Sequence, residues 1–144
     1  MDFLHDFPIT IIDEDIDGFL AAGRGMRQLA EAIENEGWRV VSGIGYDDAE
    51  RLATVFNNES CWLISIDGAE ADDDQWQQLE RILKKKRERN DKLPIFLFGD
   101  ERTAEMVPAA IHQDIDLGYE GEGQAVVTAD PVLLAELLRN LLNN

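Results

Sequence analysis

Short apolar runs alternate with stretches of helical periodicity along the chain. The first run, at 7–15, is rich in β-branched residues and ends in three consecutive carboxylates, a pattern typical of a buried strand that opens into a polar crevice. Similar runs predict four more strands, at 38–41, 61–66, 93–98 and 124–128. The segment 115–118 is an alternative fifth strand, but 124–128 is favoured because Asp130 and Pro131 can open a helix directly after it.

Amphipathic helical patterns fill the intervals between these strands. The predicted helices lie between Met26 and Gly37, from Asp47 as N-cap to about 56, from 72–74 to Arg89, over about 103–112 with a kink near Pro108, and over 131–142. Regular alternation of strand and helix is typical of a parallel sheet with right-handed crossovers. The sequence therefore predicts an α/β flavodoxin-like three-layer sandwich, with a five-stranded parallel sheet of order 2-1-3-4-5.

Length and composition predict a single domain at 1–144. The chain is 44% hydrophobic, which suffices for one core but not for two ordinary domains. We expect the βα core to cover 8–100 and the part at 108–144 to be more divergent. No apolar run of membrane-spanning length and no basic leader occur, so a cytoplasmic protein is expected. Cys61, inside an apolar run, fits a buried structural thiol in a reducing compartment.

The charge balance limits the expected partners. Thirty acids against 13 bases give a formal net charge of -17, which repels phosphate backbones and anionic lipid surfaces. We therefore expect neither nucleic acid nor a membrane as a partner. The bases cluster at 84–89, and we interpret them as a solvated helix end that complements the helix dipole. An acidic face of a sister subunit is the alternative counterpart of this cluster.

Carboxylates follow two of the strands, at the edge where parallel sheets bind ligands. Asp13, Glu14 and Asp15 end the first strand, and Asp67 follows the third. Oxygen ligands of this kind suit Mg²⁺. The arrangement resembles response-regulator receiver domains, and the resemblance implies a magnesium site at these acids with Asp67 as the phosphate acceptor.

Two departures from the receiver pattern disfavour phosphotransfer. The fourth strand ends in Gly99 and Asp100, where receivers have a hydroxyl, and no lysine follows Lys92. An added carboxylate and a missing ammonium group both oppose the gathering of phosphoryl charge. A vestigial Mg²⁺ site is the remaining expectation for the acids.

Other enzyme chemistry lacks suitable side chains. His5 and His112 are the two histidines, and neither position supports a triad or a zinc site. The four lysines all lie between Lys84 and Lys92, on a predicted charged surface, whereas a Schiff-base lysine for pyridoxal phosphate must be buried. We expect no catalytic residue and no cofactor in this chain.

Three segments together resemble the N-terminal domain of bacterial arginine/lysine/ornithine decarboxylases. They are the strand at 7–15, the helix at 25–34 with Gly37 after it, and the segment 93–103; the tripeptide at 65–67 is also similar. The resemblance covers about 7–108 and fades after Pro108. It implies a receiver-like wing domain without phosphorelay residues, which takes part in subunit packing and precedes a pyridoxal-phosphate core that carries the catalytic residues. In lysine-specific members, the neighbourhood of the wing binds a guanosine alarmone.

The leading hypothesis is a non-catalytic assembly or regulatory domain of an inducible amino-acid decarboxylase. Its partners would be the enzyme's own core domain and sister subunits of a homo-oligomer. The last predicted helix has a wide apolar face, which serves either as an interface through Leu134, Leu138 and Leu141 or as an ordinary core face. The acidity fits an acid-stress enzyme, because loss of negative charge at low pH weakens self-repulsion. The alternative is a free-standing atypical receiver domain in signalling that binds Mg²⁺ or a partner protein.

Overall fold

One parallel sheet of five strands organises the computed structural model of the protein. The strands are β1 (Ile9–Asp13), β2 (Val40–Gly45), β3 (Cys61–Ser65), β4 (Ile95–Phe98) and β5 (Val126–Val127). Their order is β2-β1-β3-β4-β5, and every neighbouring pair is parallel. The predicted flavodoxin-like order is therefore confirmed. The pairing of Val126 and Val127 with β4 places a strand within the favoured segment 124–128, whose other residues lie outside the described ones.

The structure describes residues 7–13, 26–35, 37–55, 58–66, 71–98, 107–112, 114–115 and 126–127. Three of the four predicted magnesium ligands, Glu14, Asp15 and Asp67, lie outside these ranges. The predicted last helix lies outside them as well, together with its three candidate interface leucines, Leu134, Leu138 and Leu141.

Four helices connect the strands within the described residues. They are α1 (Met26–Asn35), α2 (Tyr46–Leu52), α3 (Asp73–Arg89) and α4 (Ala109–His112). Helix α3 contacts both α2 and α4, so these three helices form a row against the sheet. Helix α4 begins after Pro108, and the part of the predicted helix at 103–106 lies outside the described residues. None of the described helices is both long and apolar enough to cross a membrane.

The central strands are buried on both faces. Every residue of β1 and β3 is buried, which explains why both strands are continuous apolar runs rather than alternating ones. The core continues into the inward row of α3, formed by Leu79, Ile82 and Leu83. Cys61 is a buried thiol in β3, as the sequence predicts.

Helix α1 ends in the glycine motif that the sequence predicts. Gly37 has a φ of 96°, a left-handed conformation that glycine adopts without strain. The Gly37 N–H donates to the Glu34 carbonyl at 2.9 Å, and the Trp38 N–H donates to the Ile33 carbonyl at 3.3 Å. These two hydrogen bonds form a Schellman motif, which closes the helix and directs the chain into β2.

The second strand differs from its predicted bounds of 38–41. It begins at Val40 and continues to Gly45, because Gly43, with a φ of 78°, accommodates a bulge. Thr10 pairs with Val41 and Ile12 pairs with Ile44, so β2 has one residue more than β1 over this interval. A bulge of this kind increases the local twist of an edge strand and disfavours pairing with other chains.

The predicted N-cap of α2 is wrong, whereas an unpredicted cap forms at α3. Gly45, not Asp47, occupies the N-cap of α2, without a side-chain hydrogen bond. At α3, the Asp72 carboxylate accepts from the Gln75 N–H at 2.9 Å, and the Gln75 side chain accepts from the Asp72 N–H at 3.0 Å. Such a capping box contributes about 1 kcal/mol, and its sequence signal is an acid followed three residues later by glutamine.

Candidate functional site

The carboxyl edge of the sheet brings together Asp13, Ser65 and Tyr46. Asp13 ends β1 and Ser65 ends the neighbouring β3. Since the two strands are parallel and in register, their last residues lie side by side. The Ser65 hydroxyl lies 3.5 Å from Asp13 Oδ1 and donates a long hydrogen bond to it. The Tyr46 hydroxyl donates to the Ser65 carbonyl at 2.8 Å, which fixes the start of α2 against the end of β3.

Asp13 is enclosed by protein. Its exposed fraction is 2%, although the sequence suggested an acid facing a polar crevice. Burial raises the pKa of the Asp13 carboxyl from 3.8 to about 6, while the hydrogen bond from Ser65 opposes this change by favouring the ionised form. A carboxyl in this environment is a weak cation ligand at mildly acidic pH, because its neutral form predominates there.

The predicted magnesium site is represented in the described residues by Asp13 alone. These residues contain no group of three or more histidine, cysteine, aspartate or glutamate side chains arranged to hold a metal ion. Because Glu14, Asp15 and Asp67 are outside the described ranges, the site stays a prediction.

The interpretation of the basic cluster at 84–89 as a solvated helix end is wrong for Lys86, although Lys84 and Arg89 are exposed. Lys86 is 1% exposed, and its Nζ lies 3.0 Å from Glu59 Oε2 and 4.9 Å from the centroid of the Trp62 ring. It occupies the fourth position of the inward row of α3, one turn after the buried Ile82 and Leu83. The spacing of that row could have identified Lys86 as inward-facing, but its charge suggested an exposed position.

Arg87 also turns toward protein groups. It donates from Nε to the Asp114 carbonyl at 2.8 Å, and from Nη1 to the carbonyls of Leu93 at 2.6 Å and Asp91 at 3.1 Å. These bonds join the end of α3 to the turn before β4 and to the segment after α4. A guanidinium is suited to this task because its donors are fixed in a planar fork.

Three other bases of α3, Arg81, Lys84 and Lys85, pair with acids at the surface, and we call this set the surface ladder. Lys85 Nζ lies 2.9 Å from Glu50 Oε2, Arg81 lies 3.5 Å from the same carboxylate, and Lys84 pairs with Glu80 at 2.8 Å. The hydrogen bond from Lys85 lowers the pKa of Glu50. Since these charges compensate each other, the cluster does not form an open anion-binding patch.

An open groove of about 440 Å³ lies between α2 and α3. Its walls are polar, and they include Glu50 and Lys85 of the surface ladder. Asp47, at the same groove, accepts a 2.7 Å hydrogen bond from Gln78 of α3. A ligand entering the groove would have to displace these contacts, so the groove carries no chemistry of its own.

Comparisons with known proteins identify relatives of the domain. Residues 21–125 match the family described as Orn/Lys/Arg decarboxylase, N-terminal domain. The curated lysine decarboxylase LdcA of Pseudomonas aeruginosa is 28% identical over 109 residues, which are 76% of this chain and 14% of that protein. The solved structure of lysine decarboxylase A from Pseudomonas aeruginosa has a TM-score of 0.73 at 23% identity, over 98% of this chain and 18% of that one. The chain thus spans about a seventh of the length of its curated relative.

The burial of Asp13 predicts a pH dependence of stability. The Asp13 carboxyl keeps its proton up to a pH of about 6 in the folded protein, whereas in the unfolded chain it loses the proton near pH 3.8. The contribution of Asp13 to the free energy of unfolding is therefore fully present below pH 3.8 and is lost as the pH rises toward 6. The difference corresponds to an upper limit of about 3 kcal/mol. We expect Asp13→Asn to raise the free energy of unfolding at neutral pH by up to this amount and to change it little near pH 4, measured by urea denaturation.

The exposed Asp48 provides the control for this measurement. Asp48 pairs with Arg51 at the surface, so Asp48→Asn should alter stability by less than about 0.5 kcal/mol at either pH. An Asp13→Asn protein that is less stable than the wild type at neutral pH would contradict the expected burial penalty.

Proposed function

The chain belongs to the family of Orn/Lys/Arg decarboxylase N-terminal domains, and from this premise we propose that it is a non-catalytic wing domain of an inducible decarboxylase. The parent enzyme would release CO₂ from lysine, arginine or ornithine with pyridoxal phosphate. The wing would contribute to subunit assembly or to regulation. The match over residues 21–125 is the observation that carries this proposal.

A decarboxylase core is the first partner in the proposal. The relatives named lysine decarboxylase are much longer than this chain, which covers 14% and 18% of them. Such a length difference is expected when the catalytic machinery resides in other domains. Sister subunits are the second partner, through the predicted leucine face of the last helix.

The lysines of this chain do not fit pyridoxal phosphate. A Schiff-base lysine must be buried and able to lose its proton. Lys84 and Lys85 are on the surface in ion pairs, and Lys92 is exposed. Lys86 is buried, contrary to the prediction that all four are on a charged surface, but its Nζ is held in an ion pair with Glu59 and lies against the Trp62 ring, so it is enclosed by protein. We therefore assign the cofactor to the proposed core and derive no step of the reaction from this chain.

The acidic surface supports a role in pH-dependent assembly in the cytoplasm. The chain has a formal net charge of -17, so copies repel one another at neutral pH. Protonation of surface carboxylates in acid weakens this repulsion, which suits an enzyme induced by acid stress. The buried thiol of Cys61 is compatible with a reducing compartment.

The second candidate function is an atypical receiver domain that binds Mg²⁺. The position of Asp13 favours this candidate, because it ends β1 beside the end of β3 at the edge where parallel sheets bind ligands. Burial of its carboxyl opposes the candidate, since a cation requires the ionised form. We rank it below the decarboxylase wing for this reason.

The mass of the native protein tests the leading proposal. An antibody raised against this chain should detect a band several times heavier than 16.2 kDa in the source cell. The immunoprecipitate should release CO₂ from lysine, arginine or ornithine when pyridoxal phosphate is supplied, whereas the 144-residue chain alone should not. A native band at 16.2 kDa without this activity would contradict the proposal.

Light scattering tests the assembly role. At matched protein concentration, we expect the mean mass to at least double between neutral and mildly acidic pH, because protonation reduces the repulsion between copies. Leu138→Glu should keep the protein folded and monomeric at both pH values if the last helix forms the interface. A mass that does not change with pH would exclude pH-dependent self-assembly of this domain.

A magnesium titration separates the two candidate functions. If Asp13 binds Mg²⁺, millimolar Mg²⁺ should stabilise the ionised carboxyl and raise the unfolding midpoint at neutral pH, and Asp13→Asn should abolish both effects. The decarboxylase wing predicts no change in either quantity. Sodium chloride at equal ionic strength is the control for charge screening.

A further inference from the structure

The amino edge of the sheet contains a buried charged pair that the proposed function does not use. Glu59 stands two residues before β3, and Lys86 stands in the last turn of α3. The side chains are 6% and 1% exposed, and the ion pair is 3.0 Å long. The Trp62 ring lies beside the ammonium group at 4.9 Å.

The geometry of this pair is unfavourable for stability. Glu59 Oε2 has no directional hydrogen bond among the described residues, so its contact with Lys86 is that of an ion pair alone. The Trp62 Nε1–H group is buried and likewise lacks a hydrogen-bond acceptor there. Two charges removed from water recover their desolvation penalty only with excellent geometry and additional hydrogen bonds. An apolar pair of similar volume would fill this space at least as well.

Several other contacts of α3 discriminate weakly between axial positions. Its inward row is a series of similar aliphatic side chains, so a slide of one turn places one leucine or isoleucine near the position of another. Its outward bases repeat every four residues, at Arg81, Lys85 and Arg89, so the same slide again places a base opposite Glu50. The capping box and the bond from Arg87 to Asp91 move with the helix. The bonds from Arg87 to the carbonyls of Leu93 and Asp114 would break in a slide, as would the surface bond from Gln78 to Asp47, but none of these breaks leaves a buried charge unpaired.

The Lys86–Glu59 pair discriminates between these positions. A slide of one turn in one direction carries Lys86 toward the aliphatic core and separates it from Glu59. A slide in the other direction places an aliphatic residue against Glu59. Either movement leaves a buried carboxylate without a cation, which is strongly unfavourable. We infer that this pair is a register lock, which selects one axial position of α3 on the sheet rather than adding to the stability of the fold.

The lock has a consequence for the surface of the domain. The charge ladder between α2 and α3 has its observed partners only when α3 is at its native position. A domain that displays a defined surface to other subunits requires such a fixed position. The inference does not depend on the proposed function, because it concerns the internal contacts of this chain alone.

A double-mutant cycle with apolar replacements tests the inference on the full chain. We expect Lys86→Met and Glu59→Leu, each alone, to lower the folding equilibrium constant on the order of 100-fold or more, because each leaves one buried charge unpaired. The double variant should return to within about tenfold of the wild type or exceed it. The same changes at the exposed pair, Lys85→Met and Glu50→Leu, are the control, with effects below about fivefold.

The state of the helix is read from the tryptophan indole signals in a proton–nitrogen correlation spectrum. The protein has three tryptophans, so the wild type and the control variants should give three sharp indole peaks. The double variant at Lys86 and Glu59 should show a doubled or broadened Trp62 peak, because α3 can then occupy more than one position. A double variant that is as destabilised as either single variant, or that fails to fold, would show an ordinary stabilising pair and overturn the inference. A stable double variant with one sharp Trp62 peak would overturn it as well.

Discussion

The complete burial of β1 and β3 is the constraint on which the rest of the structure depends. Both strands are covered on their two faces, so no side chain along their length reaches water. The charged groups that end or flank these strands therefore lie at the two edges of the sheet, where the chain enters and leaves it. This explains why Asp13 and Ser65 meet at the carboxyl edge, and why Glu59 and Lys86 meet at the amino edge.

Sequence patterns were sufficient for the fold because the central strands leave strong signals. Continuous apolar runs of five or six residues, separated by amphipathic helices, specify a parallel sheet with helices on its faces. The edge strand β2 has a weaker pattern, because its bulge at Gly43 breaks the two-residue period and its residues at 41–43 are exposed. Its bounds were accordingly the least accurate among the first four strands.

The candidate sites were harder to predict because residue type does not reveal burial for charged side chains. The sequence placed Asp13 correctly at the end of β1, but its enclosure depends on how β3 and α2 pack against it. Lys86 was interpreted as solvated because charged residues rarely occur in a protein interior without a partner. Its partner, Glu59, is 27 residues earlier in the chain and belongs to another element, so no local pattern connects the two.

The two buried carboxyl groups show two different solutions to one electrostatic problem. A carboxylate in a low-dielectric environment requires either a proton or a compensating cation. Asp13, with a hydroxyl as its neighbour, is neutralised by protonation over a range of pH that extends to about 6. Glu59 has the ammonium group of Lys86 instead, and this solution requires a helix at a defined position. A protonated carboxyl needs no charged partner from another element, whereas an ion pair requires two elements to lie at a fixed distance. The carboxyl edge can therefore respond to pH without rearrangement of the helices, while the amino edge holds α3 in place.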